Sequence, residues 1–442
     1  MHTLAQLRAG ELTGITRLKL CEDLREFPSE IYTLADSLEI LDLSGNPLSR
    51  LPDDLPRLHR LRVIFCSDNA FTELPRVLGR CTSLSMVGFK ANQIQHVPAE
   101  SLPPLLRWLI LTDNQIETLP DALGHCTQLQ KLMLAGNRLR HLPNLGACTR
   151  LELLRISANQ LTALPAWLLA LPRLSWLAFG GNPLSAAQEA PPQPTPTLRG
   201  VPWQALQLQQ VLGEGASGVI HQALWHTRTG AQTVAVKLFK GALTSDGLPA
   251  CEMAACLQAG VHPHLVTAIG QVEGHPAQTQ GLVMPLIDPS FVTLAGPPSL
   301  ASCTRDVYDP STRFALQTLV QLALGVASAA QHLHQSGILH GDLYAHNLLH
   351  SSEGHVLLGD FGAASLFDAH DRALANALRR IEVRALGCLL QELLARCDGL
   401  HAHPRAEVTL QQLINRCLET TSASAPSWHD LHTTLTACVS AR

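Results

Sequence analysis

Residues 340–349 read HGDLYAHNLL. Asp342 stands behind a His and a Gly, and Asn347 follows it by five positions, with apolar residues on both flanks. Asp, Gly and Asn are ordinary turn formers, so the stretch taken alone is compatible with a plain turn. The sequence around it decides otherwise. VLLGDFGAAS (356–365) sets Asp360 18 residues beyond Asp342, again at the end of an apolar run.

Upstream, LQQVLGEGASGVIHQAL (208–224) alternates apolar residues around Gly213, Gly215 and Gly218. This G-x-G-x-x-G spacing also occurs in dinucleotide-binding folds, where it ends a strand and opens a helix. Here the β-type residues Val219 and Ile220 follow, so the stretch reads as a hairpin flap. Without Cβ atoms, its backbone N–H groups can approach phosphate oxygens. TVAVKLF (233–239) ends an apolar alternation on Lys237, pointing it into a cleft. A lone Lys at a strand end is otherwise a solvated edge residue. Glu252 comes 15 residues later in the helical window ACEMAACLQAG (250–260). It is either a surface helix charge or the partner of Lys237. GLVMPLI (281–287) supplies one more strand, carrying Met284.

The order is Gly-rich hairpin, AVK, helix Glu, HxDLxxxN, DFG. Over residues 205–442 it resembles the protein-kinase signature set. The resemblance implies an α+β bilobal fold using ATP and Mg2+, and it implies a role for each matching residue. Asp342 would orient the acceptor hydroxyl and take its proton. Lys237 would hold phosphates, paired with Glu252. Asn347 and Asp360 would hold Mg2+. Leu212, Gly213, Glu214, Gly215, Ala216, Ser217, Gly218 and Ile220 would cover the nucleotide, and Met284 would guard its back pocket. His340 would support the loop.

The chain also departs from that pattern. Gly341 stands where the family has Arg, and Tyr344 where Ser/Thr kinases commonly have Lys. IEVRALGCLLQELL (381–394) resembles the family's DVWSxGxxLxELL helix, with Glu382 replacing the Asp. No APE stands between DFG and that helix, and Ser365 is the only hydroxyl residue in 363–381. An Arg before the catalytic Asp normally helps bind a phosphate on this segment. Its loss implies a kinase that needs no such phosphate. HGD also occurs in small-molecule kinases. The readings implied are therefore a protein Ser/Thr kinase, a small-molecule phosphotransferase, or a nucleotide-binding pseudokinase scaffold.

The N-terminal half repeats itself. LEILDLSGNPL (38–48), LRVIFCSDNAF (61–71) and five further copies through LSWLAFGGNPL (174–184) share one template, with Asn at 46, 69, 92, 114, 137, 159 and 182. LKLCEDLREFP (18–28) opens the series, with Asp23 in the Asn place. This is the leucine-rich repeat pattern LxxLxLxxNxL. Each LxL is read as a short strand feeding a shared core, and the asparagines as a ladder. The variable strand positions face the concave side. Val63, Phe65, Met86, Trp108, Ile110, Met133, Leu153 and Trp176 make that side apolar, as expected of a surface that binds a protein substrate or regulator.

Prolines at 191, 192, 194 and 196 mark a spacer. The expected organisation is an α/β leucine-rich-repeat solenoid (1–187), a Pro-rich linker (188–204) and the kinase-like domain (205–442). The whole chain resembles a leucine-rich-repeat protein kinase of bacterial style. At 46% hydrophobic residues, 442 residues can fill cores for two or three domains. The charged fraction is 15% and the net charge −4, with no basic run, which argues against nucleic acid or an anionic membrane as partner. MHTLAQLRAGELTG lacks an apolar signal region, so a cytoplasmic location is expected. FALQTLVQLALGVASAA (314–330) is interrupted by Gln317 and Gln321 and reads as a core helix. The twelve cysteines form no CxxC pair. Cys81, Cys126 and Cys148 recur at one repeat position as small core residues.

Overall fold

Every LxL lands on a three-residue strand in the computed structural model, which describes residues 2–189, 199–215, 217–241, 243–419 and 425–440. The contacts divide the chain into two units, residues 1–171 with 182–184, and residues 172–181 with 185–442. In the first unit the strands are β1 (Arg17–Lys19), β2 (Ile40–Asp42), β3 (Val63–Phe65), β4 (Met86–Gly88), β5 (Trp108–Ile110), β6 (Lys131–Met133) and β7 (Leu153–Arg155). They pair in parallel, so Leu18, Leu41, Ile64, Val87, Leu109, Leu132 and Leu154 stand in one row. All seven are buried, and the row is the spine of the core.

The return segments begin at prolines. Pro28, Pro75, Pro98 and Pro120 each precede a short 3-10 turn, and Pro165 precedes the helical turn Ala166–Leu169. A fixed φ with no N–H suits a position that needs no donor. The asparagines form the expected ladder. Asn114 donates from Nδ2 to Phe89 O (2.9 Å) and Leu111 O (3.0 Å), while its Oδ1 accepts from Ile94 N (2.9 Å). One amide thus ties neighbouring copies together. All twelve cysteines are free thiols.

The concave strip is less exposed than its sequence suggests. Val63, Met86, Met133 and Leu153 are buried. Gly88 leaves room for the Phe65 ring, whose Cδ1 lies 2.5 Å from where a Cβ at Gly88 would stand. Lys131 Nζ sits 4.4 Å from the Trp108 ring centroid and caps it. Phe65, Trp108 and Ile110 remain half-buried.

The second unit begins with a departure. The stretch 172–181, read as part of the last repeat, packs with this unit and carries β8 (Trp176–Ala178). Trp176 is therefore not an exposed recruiting residue. It is 1% exposed, stacked on Tyr344 with centroids 4.1 Å apart. Of the expected linker, residues 190–198, prolines included, lie outside the described residues. Its last part forms β9 (Arg199–Pro202).

β10 (Leu206–Glu214), β11 (Gly218–Thr227), β12 (Gly230–Phe239), β13 (Gly270–Glu273) and β14 (Gly281–Pro285) join β9 in one sheet, ordered β10-β11-β12-β14-β13-β9. Period-2 alternation turns Val234 and Val236 into a core with Val201, Ala223, Val272 and Val283, leaving Ala235 and Lys237 for the other face. The helix Pro249–Ala259 follows β12, and helices Leu316–Gln335, Arg372–Leu394, Pro404–Leu418 and Trp428–Ser440 build the rest of the unit. Leu316–Gln335 buries Leu319, Val320, Leu322, Val326 and Leu333, as its interrupted apolar run implies. Among the described residues no helix is long and apolar enough to cross a membrane.

The Asn ladder is testable in the full chain. Asn114→Ala strips the buried Ile94 N–H of its acceptor and should cost about 2–3 kcal/mol in urea unfolding followed by circular dichroism. Glu117→Ala, on the exposed side of the same copy, should leave the midpoint unchanged.

Candidate active site

Two strands and two turns bring the motif residues together. Leu348–His350 pairs antiparallel with Val356–Leu358, Leu348 opposite Leu358. This hairpin sets Asn347 and Asp360 at its open end, where Gly359 N donates to Asn347 O at 3.0 Å. Asn347 Nδ2 donates to Asp342 Oδ2 (2.8 Å) and Asp342 O (2.9 Å). The carboxamide thereby fixes the carboxylate five residues before it. A second pairing, Ile338–Leu339 with Ser365–Leu366, ties the start of this loop to the segment behind Asp360.

His340 is fully buried beneath the loop. Its Nδ1 accepts from Asp342 N (3.3 Å), so the proton is on Nε2, which faces Gly359 O at 3.0 Å. It supports the loop and does not face outward. Glu382 Oε1 accepts from Gly341 N (3.1 Å), and its Oε2 lies 2.6 Å from His334 Nε2. His346 N donates to the buried Asp306 Oδ2 (3.0 Å), and its Nδ1 meets Asp306 Oδ1 at 2.7 Å. Nothing in the sequence pointed to Asp306, which lies 40 positions from its partner.

On the sheet, Lys237 and Glu252 form a buried ion pair between β12 and the helix Pro249–Ala259. Burial acts against the Lys237 ammonium, but the carboxylates of Glu252 and Asp360 outweigh it, so its pKa is raised. Burial pushes the Glu252 carboxyl up, against the pull of Lys237 and with the help of Asp360. The ammonium is the firmer of the two, because it faces two carboxylates and each of them faces one cation. Glu252 Oε2 has no hydrogen-bond partner and lies 3.8 Å from where a Cβ at Gly362 would stand.

The residues expected to cover a nucleotide lie mostly on the same sheet. Ile220 on β11 pairs with Lys237 on β12, and Ala235 on β12 pairs with Met284 on β14. Nothing lies within 4 Å of where a Cβ would stand at Gly213 or Gly215, whereas Gly218 is hemmed in by Leu238 O. Gly215 N donates to Gly218 O (2.9 Å), which closes the tip of the hairpin. Ser217 O accepts from Lys240 N at 3.0 Å, and Glu214 pairs with Lys240. Leu212 is exposed. Ala216 lies outside the described residues.

The residues fit a magnesium ion. The amide nitrogen of Asn347 is committed to Asp342, which leaves Oδ1 as its donor, and Asp360 offers an exposed carboxylate. Among the described residues no group of three or more His, Cys, Asp or Glu could hold a metal ion. An amide oxygen and a carboxylate are hard donors suited to an ion that keeps waters and phosphates as its other ligands.

Residues 206–395 match the family described as "Protein tyrosine and serine/threonine kinase", and residues 37–58 match "Leucine Rich Repeat". The chain is similar to CBL-interacting protein kinase 22 of Oryza sativa (33% identical over 179 residues, 37% of this chain and 37% of the relative). It is also similar to tyrosine-protein kinase receptor TYRO3 of Gallus gallus (26% over 217 residues, 48% and 24%). A third relative is the probable serine/threonine-protein kinase PknB of Bifidobacterium longum (29% over 168 residues, 37% and 23%). The chain spans well under half the length of each of these three. A leucine-rich-repeat region and a protein kinase domain are both present in this chain.

Below the catalytic loop, Glu392 accepts from Tyr308 Oη at 3.2 Å. Burial, with the charge of Asp306, pushes its carboxyl up to about 7 from 4.5. The folded value lies above the unfolded one, so the contribution to stability is present below pH 4.5 and is lost as pH rises to about 7. Glu392→Gln should abolish this loss and leave the chain more stable than wild type at pH 8 by roughly 2 kcal/mol. Thermal unfolding of both proteins across that pH range checks it.

Proposed function

We propose that this chain is an ATP-dependent protein kinase that transfers the γ-phosphoryl group to Ser or Thr of a protein recruited through the leucine-rich repeats. One observation supports this most. The Asp342–Asn347 hydrogen bond, the exposed Asp360 and the Lys237–Glu252 ion pair occur together in one unit. Asp342 is half-buried, and its carboxylate is held in place by Asn347. In the transfer, the hydroxyl oxygen bonds to the γ-phosphorus, the bond to the β–γ bridging oxygen breaks, ADP leaves, and the hydroxyl proton passes to Asp342. Lys237 holds phosphate oxygens, kept protonated by Glu252 and Asp360. Gly213 and Gly215 let the flap backbone close over the nucleotide. Mg2+, held by Asn347 and Asp360, would supply neutralising charge at the β and γ phosphates. Such transfer depends on positioning and charge, which these groups provide. Ser/Thr is the acceptor class we adopt from the relatives so named, against the tyrosine kinases that also match. The twelve free thiols suit a reducing compartment, and we place the protein in the cytoplasm.

Incubation of the full chain with labelled ATP, Mg2+ and a generic peptide tests the chemistry. Asp342→Asn and Lys237→Met should each lower transfer by roughly a hundredfold or more, with thermal stability kept. Transfer by Asp342→Asn at the wild-type rate would refute the assignment, and phosphoamino-acid analysis separates Ser/Thr from Tyr.

Recruitment has its own test. Phe65→Glu with Trp108→Glu puts charge on the part of the concave strip that is still accessible. Phosphorylation of protein substrates in a lysate should fall while the generic peptide is turned over as before. Identical lysate phosphosites in both proteins would remove the repeats from substrate choice.

A further inference from the structure

The stretch 172–181 touches the catalytic loop and the segment after Asp360 at once. Trp176 Nε1 donates to Leu343 O at 3.1 Å, next to Asp342, and its ring lies flat on Tyr344 with 8° between the planes. Phe179 N and Gly180 N both donate to Ser365 Oγ, at 2.8 and 3.0 Å. Leu177 O lies 2.4 Å from where a Cβ at Gly341 would stand, so this approach requires glycine there. Arg384 Nη1 anchors the start of the stretch at Leu174 O, 2.6 Å away.

These contacts cover the catalytic loop on both sides of Asp342 and leave Asp342 itself accessible. Gly341, Leu343 and Tyr344 are buried, and Asp342 between them is half-buried. A blocking segment would sit on the carboxylate. This one grips the backbone around it. Ser365, 1% exposed and the only hydroxyl residue of 363–381, spends its oxygen on two backbone N–H groups and is closed to a modifying enzyme.

We propose that the strand segment 174–181 is a built-in positioning element of the transfer site, with Trp176 and Ser365 as its positioning residues. It locks the catalytic loop to the segment behind Asp360 with no phosphate on the chain. The proposal rests on the kinase reading for its rates, but not for its structural readout.

The test uses the full chain, treated with phosphatase and shown by mass spectrometry to be unmodified. Wild type should then start at its full rate without a lag. Trp176→Ala should lower kcat ten- to hundredfold, the scale of a slightly misplaced catalytic group, with KM for ATP within about twofold. Amide hydrogen exchange should quicken in 341–347 and 361–366. Trp176→Phe keeps a stacked ring and should restore most of the rate. Ser365→Ala should lower kcat severalfold, and it carries the same readouts should Trp176→Ala not fold. A faster rate in Trp176→Ala would mean that the segment blocks the site and would overturn the proposal. So would an unchanged rate with unchanged exchange. A wild-type chain that takes up ATP with Mg2+ yet transfers nothing refutes the kinase reading alone. The exchange of 341–347 in Trp176→Ala then decides the positioning role, and unaltered protection overturns it.

Discussion

At Gly341 the chain has no space for a side chain. Leu177 O and Ala363 O would lie 2.4 and 2.8 Å from a Cβ there, and the backbone is left-handed with φ +72°. Three segments distant in sequence thus meet at one backbone position. Glycine reaches this conformation without the penalty other residues incur. Its N–H donates to Glu382 Oε1. The longer reach of Glu over Asp at 382 makes sense in this setting, because the same carboxylate also meets His334. The missing arginine and the altered helix residue are two sides of one rearrangement.

That rearrangement shifts how a kinase-like site is held. A phosphate paired with arginine orders a segment through charge, and charge can be added or removed. Here the ordering comes from stacked rings, two N–H donors on one hydroxyl and a buried guanidinium on a carbonyl. None of these is removed by a phosphatase. Such a site is fixed once the chain has folded. On the function proposed above, selectivity then comes from what the repeats bring to it.

The parts of the site legible in the sequence were those whose partners lie close along the chain or in a fixed order. Asn347 reaches Asp342 across one turn, and Lys237 reaches Glu252 across one strand and the helix after it. The asparagine ladder was legible because its period is that of the sequence. What escaped reading was burial supplied from far away. Trp176 and Trp108 occupy the same column of the repeat template. One is half-buried beside Lys131, and the other is covered by Tyr344, 168 positions on. Nothing local distinguishes them. The pairing of Asp306 with His346 escaped for the same reason, and so did the strand Arg199–Pro202, whose neighbour is Gly270–Glu273.

Tyr344 shows how the two kinds of information combine. In the sequence it stands where Ser/Thr kinases commonly have Lys. Under Trp176, it is an aromatic surface that a flexible ammonium could not offer, since flat stacking needs two rings. The Lys237 ammonium, on another element, is desolvated, paired with Glu252 and close enough to feel Asp360. The buried charge and the stacked rings thus belong to different elements, the sheet for the first and the strand 174–181 for the second.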